Sequence, residues 1–115
     1  MAVTIYHNPR CTKSRQTLAL LEERGIKPAI IEYLKTPPTA AELDKILKLL
    51  GREPREVMRK KEAPYKELGL DDPGLDRKDL IKAMVENPIL IERPIVLVNG
   101  KARLGRPPET VLEIL

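Results

Sequence analysis

Phenylalanine and tryptophan are absent from the 115 residues, and three tyrosines are the only large aromatics. Proteins that bind single-stranded nucleic acid stack bases on such rings, so the absence weighs against that class of partner. There is one cysteine, Cys11. No disulfide can close within the chain, which excludes the framework of a small secreted domain and fits a reducing compartment. One cysteine and one histidine, His7, make no zinc site unless carboxylates supply the rest, and no metal is expected. No apolar run approaches the roughly 18 residues of a spanning helix. Met1-Ala2-Val3-Thr4 also lacks the charged-then-apolar order of a secretion signal. A soluble, cytoplasmic protein without membrane association is expected. Internal repeats and low-complexity segments are missing too.

What is present is charge and proline. The formal net charge is +4 and the pI about 9.3, which suits anionic partners. The basic residues are spread along the chain rather than gathered in one tract, so a small oxyanion fits better than nucleic acid. Eleven prolines lie mostly at element boundaries, where a fixed φ and a missing N–H are tolerated. The length fits a single domain, residues 1–115, with one core.

Hydrophobic patterning orders the elements. Val3-Thr4-Ile5-Tyr6 reads as a strand closed by Pro9, and a helix follows from about Ser14, with Leu18 and Leu21 on one face and Gly25 as its stop. Ala29 to Tyr33 is a second strand, and a helix between two strands signals a parallel pair. Thr39 and Glu42 form a capping box before Leu43, Ile46, Leu47 and Leu50, and Gly51 ends that helix. Pro54 to Leu70 looks helical but interrupted by Pro64. Asp76 opens a further helix that stops at Asn87-Pro88. Ile95–Val98 and Lys101–Leu104 flank Asn99-Gly100, the preferred composition of a type I′ hairpin turn. Pro107-Pro108-Glu109 starts a short terminal helix. The order predicts an α/β fold: a thioredoxin-like mixed four-stranded sheet flanked by helices, with a helical insertion over about 39–87.

In this order Cys11 falls between a strand and a helix N-terminus, where unpaired N–H groups and the positive end of the helix dipole favour a thiolate. Arg10, Lys13 and Arg15 add charge, and His7 adds more when protonated. Lowering a thiol from near 8.5 to about 6.5 requires roughly 2.7 kcal/mol. One helix terminus supplies about 0.3–1 kcal/mol, so several groups must act together. Three arginines stand where elements end: Arg59 after a short helical turn, Arg93 before the third strand and Arg106 after the hairpin. Each offers a planar fork of donors suited to a tetrahedral oxyanion.

The motifs taken together resemble the glutaredoxin-coupled arsenate reductase family nearly end to end. They are His7-Asn8-Pro9-x-Cys11, Ser14-Arg15, Arg59-Lys60 with Pro64-Tyr65, Asn87-Pro88-Ile89-Leu90, Arg93-Pro94-Ile95-Val96 and Arg106-Pro107. The resemblance implies Cys11 as catalytic nucleophile and Arg59, Arg93 and Arg106 as ligands of the oxyanion. It also implies His7, Ser14 and Arg15 as thiolate-stabilising residues and Pro94 as a cis-proline. It further implies arsenate or a related oxyanion as substrate and a role in arsenic detoxification. Glutathione would be co-substrate and glutaredoxin a partner, with no bound cofactor. Related thioredoxin-like regulators that bind the transcription machinery are the alternative, as is glutathione-dependent reduction of another substrate. Some of those regulators switch through Cys-x-x-Cys. The second position here is Ser14, so no internal disulfide switch is possible.

Overall fold

Val3–His7 forms β1, and its alternation places Val3, Ile5 and His7 on one side of the sheet. In the computed structural model, which describes residues 2–115, the chain divides into two compact units. The first is Met1–Thr36 with Arg93–Leu115, and the second is Pro37–Glu92.

The first unit holds the sheet. β1 is followed by helix α1, Thr12–Glu23, and by β2, Ala29–Glu32; β3, Ile95–Val98, and β4, Lys101–Leu104, complete it. The strand order is β2-β1-β3-β4. β1 runs parallel to β2, with His7 opposite Glu32, and antiparallel to β3. β3 and β4 are antiparallel neighbours, with Ile95 opposite Leu104. This mixed four-stranded sheet with flanking helices is the thioredoxin-like arrangement expected from the element order. Asn99 and Gly100 both have positive φ, 47° and 77°, as a type I′ turn requires.

The core of this unit gathers Val3 and Ile5 of β1 with Val96 and Val98 of β3 under Leu21 of α1. Val111 and Ile114 close it from the last helical segment. That segment, Pro108–Ile114, is a 3-10 helix. Each such buried aliphatic side chain contributes about 1.5–3 kcal/mol. α1 is thereby fixed on the face toward which His7 points.

Gly105 follows β4 and donates its N–H to the Pro94 carbonyl at 2.9 Å. A Cβ there would stand 2.5 Å from Thr17 Oγ1 and 2.7 Å from Pro94 Cγ. Only hydrogen fits between these groups.

The second unit is helical. It contains α2, Ala40–Leu50, α3, Ala63–Glu67, and α4, Arg77–Glu86, with 3-10 turns at Pro54–Val57 and Pro88–Leu90. Thr39 and Glu42 form the capping box read from the sequence, and Asp76 with Asp79 forms a second one at α4. Arg77 ties α4 to α2 through Asp44, Nε to Oδ1 at 2.7 Å. Pro64 does not interrupt a helix as expected. It lies in the first turn of α3, where its missing N–H has no intrahelical acceptor to lose.

Candidate active site

Cys11 is the N-cap of α1, extended at φ −92° and ψ 124°. Its N–H donates to the Asn8 carbonyl at 3.0 Å, and its carbonyl accepts from Arg15 N–H at 3.0 Å, so the residue is fixed on both sides. The side chain is partly exposed. The thiol makes no formed cap hydrogen bond, yet the first-turn N–H groups of Lys13 and Ser14 lie close enough to favour its anion. The thiol is held below its ordinary value. Burial pushes it up; the Ser14 N–H, the hydrogen bond and charge of the Arg93 guanidinium, and the Lys13 N–H together outweigh burial.

Behind the sulfur is a buried polar triangle. His7, Asn8 and Ser14 are all buried, Ser14 completely. Ser14 Oγ lies 2.6 Å from His7 Nδ1 and accepts from Asn8 N–H at 3.0 Å. One hydroxyl therefore links the end of β1 to the first turn of α1. Burial holds the imidazole below its ordinary value, against the opposing charge of Glu32 and with that of Arg15. Burial thus disfavours the charged imidazole, and His7 meets Ser14 as a buried hydrogen-bonding partner. Arg15 donates from Nη1 to the Pro9 carbonyl at 3.0 Å and from Nη2 to Thr12 Oγ1 at 3.4 Å. Those bonds brace the loop.

Arg93 and Arg106 stand together. Arg106 donates from Nη1 to the Arg93 carbonyl at 3.2 Å, and both Arg93-Pro94 and Arg106-Pro107 are cis peptides. Arg93 also reaches the Cys11 sulfur. Arg59 belongs to the second unit. Its N–H donates to the Leu90 carbonyl at 2.7 Å, and its guanidinium meets Glu62 at 3.2 Å and Glu92 at 3.7 Å.

Sequence reasoning missed the second cis bond and the tight seat of Gly105. It also missed that Ser14 contributes through both its hydroxyl and its N–H. The signal for Ser14 was available: His7 ends a strand facing the helix, and Ser14 is the third residue of that helix, the position whose N–H is turned toward the cap. Among the described residues no cluster of three or more His, Cys, Asp or Glu side chains could hold a metal. No helix there is long and apolar enough to cross a membrane.

Comparison with known proteins places this geometry among relatives. The sequence model of the ArsC family matches residues 6–114. The uncharacterized protein YfgD of Escherichia coli K12 is 60% identical over 114 residues, covering 98% of this chain and 96% of that protein. An arsenate reductase of Neisseria meningitidis serogroup B is 53% identical, covering 98% of this chain and 97% of its own. Among solved structures, an arsenate reductase from Vibrio cholerae superposes with a TM-score of 0.97 at 59% identity, covering 100% of this chain and 98% of that one.

Proposed function

The chain belongs to the ArsC family, and from that premise we propose that it is an arsenate reductase in which Cys11 is the nucleophile and glutathione and glutaredoxin supply the electrons. The observation that carries the reading is the pairing of a partly exposed, acidified thiol with Arg93 in a chain that has no second cysteine.

In the first step the Cys11 thiolate attacks arsenic, and an arsenate oxygen leaves as water after taking up protons. Arg93, with Arg106 bound to its carbonyl, supports the anionic oxygens by preorganised donors and charge. The oxyanion role of Arg59 rests on the family resemblance alone, since in its own unit this guanidinium is engaged by Glu62 and Glu92. Glutathione then condenses on the adduct with loss of a second water. Arsenic accepts two electrons, passing from As(V) to As(III), and the Cys11 and glutathione sulfurs surrender them to become a mixed disulfide. A glutaredoxin thiol attacks the glutathione sulfur and frees the Cys11 thiolate.

The test is arsenite release from arsenate by purified protein with glutathione, glutaredoxin and an electron source. Release that requires the protein and is lost in Cys11→Ser supports the proposal. Folded protein that yields no arsenite in a mixture where a known arsenate reductase does would overturn it.

A further inference from the structure

β1 and β2 end side by side, with His7 opposite Glu32. Beyond that end the chain departs from β1 through Asn8-Pro9-Arg10 and from β2 through Leu34-Lys35. A cleft of about 310 Å³ lies between these exits, with Arg10, Glu32, Leu34 and Lys35 among its walls and His7 at the strand end. This size falls within the roughly 300–1,000 Å³ of small-molecule sites. All of these residues belong to the first unit, and Arg10 immediately precedes Cys11.

The charges in this cleft are mixed. Arg10 and Lys35 are exposed cations, and Glu32 is a half-buried anion that lies opposite His7 in the strand register. Glu32 and Lys35 are 3.6 Å apart as an i,i+3 pair whose side chains are 43% and 80% exposed. Such an exposed pair is worth little, so it can open for a ligand at small cost. Leu34 adds an apolar wall that is 43% exposed. A simple oxyanion would meet the Glu32 carboxylate and gain little. A small peptide with two carboxylates and one ammonium would satisfy Arg10, Lys35 and Glu32 at once. A chain with one cysteine also needs a thiol delivered from outside.

We propose that the cleft between the exits of β1 and β2 is the binding site for the zwitterionic peptide thiol that serves Cys11, with Arg10 and Lys35 on its carboxylates and Glu32 on its ammonium. The proposal rests on the reading that an external thiol completes the reaction. Arg10 carries the ligand to the loop that holds the sulfur. The Arg10 N–H, donated to Asn8 Oδ1 at 3.0 Å, keeps that loop in shape.

Two measurements test the site, one with turnover and one without. In turnover, glutathione is compared with 2-mercaptoethanol, which has neither carboxylate nor ammonium. Lys35→Glu and Glu32→Gln should each lower the ratio of kcat/KM for glutathione to that for 2-mercaptoethanol about tenfold. Without turnover, S-methylglutathione is titrated into the wild type and both variants while backbone amides are followed by NMR. Saturable shifts should concentrate at Asn8, Arg10 and Glu32 to Lys35, with binding about tenfold weaker in the variants. Arsenite release that depends on glutathione, with its ratio unchanged in both variants, would remove the cleft and leave the arsenate reading intact. Shifts confined to other parts of the chain would also remove it. Saturable binding at the cleft, weakened by both variants in a protein that releases no arsenite, would support the site and sink the arsenate reading instead.

Discussion

Arg106 donates a hydrogen bond from Nη1 to the carbonyl oxygen of Arg93 at 3.2 Å, so the arginine after β4 steadies the backbone of the arginine before β3. The guanidinium of Arg93 in turn reaches the Cys11 sulfur. Arg93 therefore acts on the sulfur directly, while Arg106 acts on the backbone that carries Arg93.

Substitution should separate those routes. Arg93→Ala should lower kcat/KM for arsenate about 10²–10³-fold, the usual cost of losing one preorganised oxyanion donor, and raise the thiol pKa. Arg93→Lys keeps the charge but not the planar fork, so it should recover only part of the loss. Wild-type kinetics in both variants would exclude the role. At Arg59, an oxyanion fork predicts a similar loss in the lysine variant. A purely ionic engagement with Glu62 and Glu92 predicts lower stability with unchanged kcat/KM.

The thiol should titrate below the value near 8.5 of a free cysteine, read from thiolate absorbance or from the pH dependence of alkylation. The same shift is a stability term. Below 8.5 and above the folded pKa, the unfolded chain binds the extra proton, so stability rises with pH through that window. This contribution is complete above the unfolded value and disappears as pH falls through the folded one. Cys11→Ser should flatten that part of the stability profile and abolish turnover. An active protein whose Cys11 titrates like a free thiol would contradict the assignment.

Ser14→Ala removes the hydroxyl but keeps the N–H that favours the thiolate. The buried Asn8 N–H and His7 Nδ1 lose their partner, which should cost about 1–3 kcal/mol in denaturant unfolding. The thiol pKa should rise less than in Arg93→Ala. The reverse order would show that the Ser14 hydroxyl influences the sulfur more than the Arg93 guanidinium does.

On the proposed route a chain with one cysteine takes its second thiol from solution. Turnover should require both glutathione and glutaredoxin, and intact mass should show a glutathionyl adduct on Cys11 when glutaredoxin is left out. Thioredoxin alone should support little turnover. Full activity with thioredoxin and no glutathione would refute this electron route even if arsenate is the substrate.

Local chemistry explains which features could be read in advance. The Thr39–Glu42 box and the Asn99-Gly100 turn depend only on residues within three or four positions of each other, and both formed as expected. The parallel pairing of β1 with β2 followed from the helix between them and the antiparallel pairing of β3 with β4 from the tight hairpin, whereas the place of β3 beside β1 depends on contacts between distant segments. Pro64 reads as a break from sequence alone, yet a proline suits a helix start equally well, and only the neighbouring chain decides between them. The triangle of His7, Asn8 and Ser14 depends on which face of β1 receives α1. The protonation state of His7 depends on how deeply that contact buries it. Neither burial nor a meeting of distant segments is written in a motif.

Gly105 shows how an absent side chain can set a chemical property. The hydrogen at its Cα is all that separates Thr17, on the helix whose cap is Cys11, from Pro94, the neighbour of Arg93. Position 105 thus sets the spacing between Thr17 and Pro94, each on a segment that carries one member of the Cys11–Arg93 pair. A methyl group there would drive the two supports apart, so Gly105→Ala should raise the thiol pKa and slow alkylation at neutral pH. Thr17→Ala in the same chain removes one of the two crowded neighbours and should restore part of both. The acidity of the thiol would then be adjustable from positions 17 and 105, with every residue of the site left in place.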